Sequence, residues 1–180
     1  MQINNIEIKL RITDAGQARQ DIEPLADGPA QVLEQRDTYF NAGDDAYLKL
    51  REEVGPDRTG RASLIAYRRT RRAEPRPSDI RLARIDNGPE LAETLAHALG
   101  VLVVVDKIRH LFFRGQTRIH LDDVDGLGAF LELEVVLEPG QDEAEGLRIA
   151  RDLLARLDLT GATKQTNSYR DLLLRSRHTG

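Results

Sequence analysis

Charged residues that share one face of a strand recur in run after run of this 180-residue chain. Glu7, Lys9 and Arg11 stand in one run, and Lys49 and Arg51 in another. Lys107 and Arg109 follow, then Arg118 and Asp122 with His120 between them, then Glu132 and Glu134. A strand turns successive side chains to opposite faces, so residues at i and i+2 point the same way. Several strands that each line one face with charge predict a polar-lined barrel or concave sheet.

Strand signals dominate the rest of the chain. Residues 3–12 alternate cleanly, with Ile6, Ile8, Leu10 and Ile12 on one face and Asn5, Glu7, Lys9 and Arg11 on the other. Further strands are predicted at 32–41, 45–53, 61–70, 78–86, 102–113, 116–124 and 129–137. Their connections carry turn chemistry at Gly55-Pro56-Asp57, Arg114-Gly115, Asp125-Gly126 and Pro139-Gly140. Helices are predicted near 14–22, at 89–99 between Pro89 and Gly100, at 142–158, and from about Asn167. The third carries the stripe Leu147, Ala150, Leu154 and Leu157, and the last buries Tyr169, Leu172 and Leu173. This order reads as an α+β class: an eight-stranded antiparallel β-barrel with flanking helices, in one domain over 1–180. The basic stretch 70–77 reads as a loop.

Composition narrows the function. The net charge of −4 and an aromatic content of 4% with no Trp argue against nucleic-acid binding. Without cysteine there are no disulfides and no thiolate metal sites. No apolar leader or membrane-length run is read, so the cytoplasm is the expected compartment.

Like charges on one face repel unless something neutralises them. Lys49 with Arg51, Lys107 with Arg109, and nearby Arg69 and Arg118 imply an anion between them, for which Arg supplies bidentate phosphate contact and Lys a point charge. Glu132 and Glu134 raise each other's pKa unless a cation sits beside them. Oxygen-only ligands favour Mg2+ or Mn2+, with substrate phosphates completing the shell. Each run alone is compatible with a solvated strand face; together they point to a polyphosphate with a divalent metal. His120 reads as an orienting histidine as readily as a base or ligand. No Gly-rich phosphate loop and no Ser-His-Asp setting is present.

These residues together resemble the CYTH domain, or triphosphate tunnel metalloenzyme, superfamily, and within it the class IV adenylate cyclase branch. The blocks are Asn5-x-Glu7-x-Lys9, Gln35-x-Asp37-Thr38-Tyr39-Phe40 and Leu48-Lys49-Leu50-Arg51-Glu52. Leu64-Ile65-x-Tyr67-x-Arg69, Ser78-Asp79, Lys107-x-Arg109, the run from Arg118 to Glu134, and Ser168-Tyr169-x-Asp171-Leu172-Leu173 complete them. The family signature begins Glu-x-Glu-x-Lys, so Asn5 replaces its first Glu.

The resemblance implies a barrel forming a triphosphate tunnel. Lys9, Arg11, Lys49, Arg51, Arg69, Lys107, Arg109 and Arg118 would grip phosphates. Glu7, Asp122, Glu132 and Glu134 would bind Mg2+ or Mn2+, and Glu7, Lys9, Glu132 and Glu134 would carry the catalytic load. It implies an enzyme converting ATP to cyclic AMP and pyrophosphate, and a homodimer. A triphosphatase acting on tripolyphosphate, nucleoside triphosphate or thiamine triphosphate is the alternative, and a non-catalytic triphosphate binder a third reading.

Overall fold

The computed structural model describes residues 5–43, 46–68 and 80–177. They form an antiparallel sheet of nine strands with four helices: β1 (Asn5–Arg11), α1 (Ala15–Ile22), β2 (Gln31–Phe40), β3 (Ala46–Val54), β4 (Gly60–Arg68), β5 (Arg81–Ile85), α2 (Gly88–Leu99), β6 (Val101–Arg114), β7 (Thr117–Val124), β8 (Gly128–Val136), α3 (Glu143–Leu154), β9 (Thr163–Lys164) and α4 (Tyr169–Ser176). Strand order is β5-β4-β3-β2-β6-β7-β8-β1-β9. The hydrogen-bonded ladder thus ends at β5 and β9, and the strands number nine where the alternation predicts eight. The α+β class stands. The extra strand is two residues long and pairs Leu10 with Lys164 and Arg11 with Thr163.

Local chemistry explains the element ends. Asp14 caps α1 by accepting from the Gln17 amide at 2.8 Å, and Asn87, Asp142 and Ser168 cap the other helices in the same way. The first helix ends at Ile22, before Pro24, which sits in a 3-10 turn over Glu23–Leu25. The α3 helix ends at Leu154, short of the predicted 158. Gly115 (φ 52°) and Gly126 (φ 71°) take the left-handed conformation that the β6–β7 and β7–β8 turns require.

The chain divides into two compact units, 1–33 with 108–167, and 34–107 with 168–180. In the first unit, β1, β7 and β8 turn Ile8, Leu10, Ile119, Leu121, Leu131, Leu133 and Val135 to one face. That face packs with Ala18 and Ile22 of α1 and Ala150 and Leu153 of α3. On the predicted α3 stripe, Ala150 is buried and Leu147 and Leu154 are half-buried. Gly146 lets α3 approach closely, since a Cβ there would meet Ile6 Cγ1 and Leu137 Cδ2 at 2.6 Å. In the second unit, α2 packs on β3 and β4, and Phe40, Leu50, Val103 and Val105 are buried. With one face of each unit given to the core, the charged residues of these strands fall on the other.

Candidate functional site

In the first unit, register sets the charged face. Glu7 lies opposite Glu134, and Lys9 opposite Glu132, across β1 and β8. Arg118 lies opposite Glu134, and His120 opposite Glu132, across β7 and β8. Directly paired residues share a face. Glu7, Lys9, Arg11, Arg118, His120, Asp122, Glu132 and Glu134 therefore stand together, as alternation requires.

Glu132 is the centre of this group. Lys9 Nζ lies 3.4 Å from its Oε2 and Arg109 Nη2 3.9 Å away. His120 Nδ1 lies 3.4 Å from Oε1, but too poorly aligned for a well-formed hydrogen bond. Burial alone would push the Glu132 carboxyl up; the close approach of His120 and the charges of Lys9 and Arg109 outweigh it and hold the group well below the usual carboxylate range. Glu134 is addressed at both oxygens, by Asn5 Nδ2 at 2.7 Å and Arg118 Nη1 at 3.1 Å. Glu7 is half exposed and meets Lys9 Nζ at 3.4 Å.

Three expected residues have a different setting. Asp122, expected among metal ligands, has its two oxygens each 2.6 Å from Arg109, at Nε and Nη2. Arg109, expected on phosphate, gives that edge of its guanidinium to Asp122. Arg11 shares the face at its far end, donates to the Leu127 carbonyl at 2.8 Å, and lies over the Phe130 ring.

The second unit gathers cations around one carboxylate. Asp37 on β2 lies opposite Arg51 on β3, and Tyr39 opposite Lys49. Asp37 is 3% exposed and accepts from Arg51 Nε and Nη2 at 2.7 Å and from Lys49 Nζ at 2.8 Å. Burial alone would raise its pKa; Arg51, then Lys49 and Lys107, hold it well below the usual carboxylate range instead. Buried Lys107 lies 5.1 Å from the Tyr169 ring. Arg69 lies outside the described residues, as do Ser78 and Asp79.

Sequence reasoning passed over the aromatic part of this unit. All four tyrosines of the chain lie in it. Tyr47 and Tyr67, opposite each other on β3 and β4, stack at 4.8 Å with planes 4° apart. Arg170 of α4 lies 4.7 Å from the Tyr47 ring and 6.0 Å from that of Tyr39, and Lys49 lies 5.4 Å from Tyr39. The signal was the parity of Tyr47 with Lys49 and Arg51, not aromatic count.

The acidic donors are all oxygen, which suits a hard divalent cation. Glu7 and Glu134 face each other across β1 and β8, and Lys9 and Arg118 beside them offset part of their repulsion. Among the described residues no three His, Asp or Glu side chains already stand together as a metal cluster. The oxygen donors nevertheless suit Mg2+ or Mn2+ in chemical type.

Residues 4–169 match the CYTH domain, and the chain belongs to that family. It is 25% identical to MJ0240 of Methanocaldococcus jannaschii, named as a candidate adenylate cyclase, over 93% of this chain and 97% of the relative. In fold it is similar to the PH1012 protein of Pyrococcus horikoshii OT3, with a TM-score of 0.71 and 22% identity over 94% of this chain and 99% of the other. It is also similar to HpAC1 from Hippeastrum, with a TM-score of 0.58 and 16% identity over 97% and 96%. HpAC1 is described as a candidate adenylyl cyclase with a dominant triphosphatase activity. Among the described residues no helix is long and apolar enough to cross a membrane.

Proposed function

We propose that this CYTH protein is a metal-dependent enzyme acting on the phosphate chain of a small triphosphate, with conversion of ATP to cyclic AMP and pyrophosphate as its reaction. The observation that carries this reading is Glu132, a carboxylate with a side chain only 13% exposed, on one strand face with Glu7 and Glu134 and with Lys9 Nζ 3.4 Å away. These groups suit a site that takes a cation and a phosphate together.

Glu132 and Glu7, with the remaining lone pairs of Glu134, would hold Mg2+ or Mn2+. When bound, such an ion neutralises phosphate charge and polarises a phosphoryl oxygen. Lys9 lies 3.4 Å from both Glu7 and Glu132 and would turn from them toward substrate oxygens. Arg118 would bind phosphate by charge and by its N–H groups. In the second unit, Lys49, Arg51 and Lys107 offer the same phosphate chemistry around Asp37. Attack on phosphorus needs no covalent protein nucleophile; positioned charge is the main contribution of the protein. In the cyclase reaction the ribose 3′-hydroxyl loses its proton to water, its oxygen forms a bond to the α-phosphorus, and pyrophosphate leaves with the electron pair of the broken P–O bond.

A second reading, hydrolysis at the terminal phosphorus, is favoured by the triphosphatase activity ascribed to HpAC1. It requires the same residue types. A product assay with ATP, tripolyphosphate and thiamine triphosphate, in Mg2+ or Mn2+, separates the two. Cyclic AMP with pyrophosphate supports the first, and orthophosphate without cyclic AMP supports the second.

A further inference from the structure

We infer that Asp37 is a positioning residue for this chemistry, acting through Arg51 and Lys49 by fixing which edges of those cations face a substrate phosphate. The inference rests on the triphosphate reading of the cation cluster.

Arg51 and Lys49 are two apart on β3 and share a face, so their charges repel. Asp37, directly across from Arg51, takes the Nε and Nη2 hydrogens of its guanidinium, at 2.7 Å each. A guanidinium is a rigid planar fork with five N–H groups. Holding one edge fixes the plane and directs the Nη1 end to other acceptors. The second oxygen of Asp37 also receives Lys49 Nζ at 2.8 Å, while the Tyr39 ring lies 5.4 Å from that ammonium. The carboxylate is buried, and its ionised form is the one its neighbours favour. It therefore stays an acceptor, because Arg51 and Lys49 satisfy it in place of water.

An amide cannot replace it. Asn offers one oxygen and turns an NH2 donor toward a cation, so the two-point hold on Arg51 is lost. The site also becomes one unit more positive. Attraction for an anion does not fall, but the orientation of the fork does. The two effects separate in kinetics: ordering is read in kcat, attraction in KM.

The test uses the wild type, Asp37→Asn, Arg51→Lys and the double variant, assayed with Mg2+ on ATP and on tripolyphosphate. The Arg51 Nε–H resonance is followed without substrate. We expect Asp37→Asn to lower kcat by about tenfold or more, the scale of a misplaced binding group, and to leave KM little changed. The Arg51 Nε–H signal, slow to exchange in the wild type, should broaden or vanish. The double variant should be no slower than the worse single variant, since both act on one unit. If Asp37→Asn does not fold, Asp37→Glu carries the test: it keeps two oxygens but displaces the fork, and should lower kcat at unchanged KM. Additive single effects, an unchanged kcat in either Asp37 variant, or a rise in KM alone overturns the positioning role and leaves the triphosphate reading intact. A wild type inactive on both substrates overturns the functional reading, and this role with it.

Discussion

Arg109 and Asp122 meet edge to edge across β6 and β7, with Nε and Nη2 of the guanidinium each 2.6 Å from one carboxylate oxygen. The Asp122 side chain is fully enclosed and that of Arg109 is 11% exposed. Two-point pairing in so closed a place is a structural bond first. Asp122 and Glu132 stand on the same face, and Arg109 approaches both, with Nη2 3.9 Å from Glu132 Oε2.

Removing one partner should therefore be costly. Asp122→Asn should lose about 3–5 kcal/mol of stability, because a buried guanidinium is left without its carboxylate. Replacing both, as Arg109→Met with Asp122→Leu, should recover much of that. Urea unfolding measures each. Binding of Mn2+ to folded Asp122→Asn should stay close to wild type, whereas Glu132→Gln should weaken it clearly.

The acidic pair is the centre of the proposed chemistry. Glu132→Gln with Glu134→Gln should lower turnover by about a hundredfold or more, the scale of removing aimed electrostatic groups, while circular dichroism stays native. Activity retained in that double variant would remove the metal-site assignment.

Asn5 stands where the family signature has Glu, and its amide donates to Glu134 at 2.7 Å. Asn5→Glu replaces a donor by a like charge. Without metal it should cost about 0.2–1 kcal/mol, as facing like charges do on exposed strands. With metal it should lower the Mg2+ concentration needed for half-maximal activity. A metal titration identical to wild type would show that Asn in place of Glu at this position does not weaken metal binding.

Acid should unfold the protein through its buried carboxylates. Asp37 and Glu132 have folded-state pKa values below their ordinary 3.8 and 4.5. The unfolded chain then binds more protons, so stability rises with pH. Their contribution is complete above about pH 5 and is lost as pH falls below the ordinary values toward the folded ones. His110 acts in the same direction at higher pH: burial, then Arg19, lowers its pKa below 6.5, so its contribution fades as pH falls through that value. Thermal melts from pH 7 to 3 should fall in a shallow step, then a steep one.

The charged face was legible because strand parity is a local property. Glu7, Lys9, Glu132 and Glu134 share a face on any strand pairing that keeps register, and Ile8, Leu131 and Leu133 fix that register by going to the core. Partner choice was not legible. Nothing along the sequence joins Asp122 to Arg109, or Asp37 to Arg51, because those pairs form only when strands align. Asp37 lay inside a recognised block without a role for the same reason. The tyrosines were hidden by composition: an average of 4% aromatics conceals that all four occupy one unit. Strand β9 was missed because two residues carry no period.

The carboxylates and cations of the charged face are proposed to serve one metal-dependent reaction on a triphosphate. Turnover of ATP and tripolyphosphate, followed by phosphorus NMR in Mg2+ and again in EDTA, tests it most directly. Product is expected in Mg2+ or Mn2+, none in EDTA, and recovery when metal is restored. Tripolyphosphate bound equally well in EDTA and in Mg2+, with no product under either condition, would contradict it and leave a binding protein in its place.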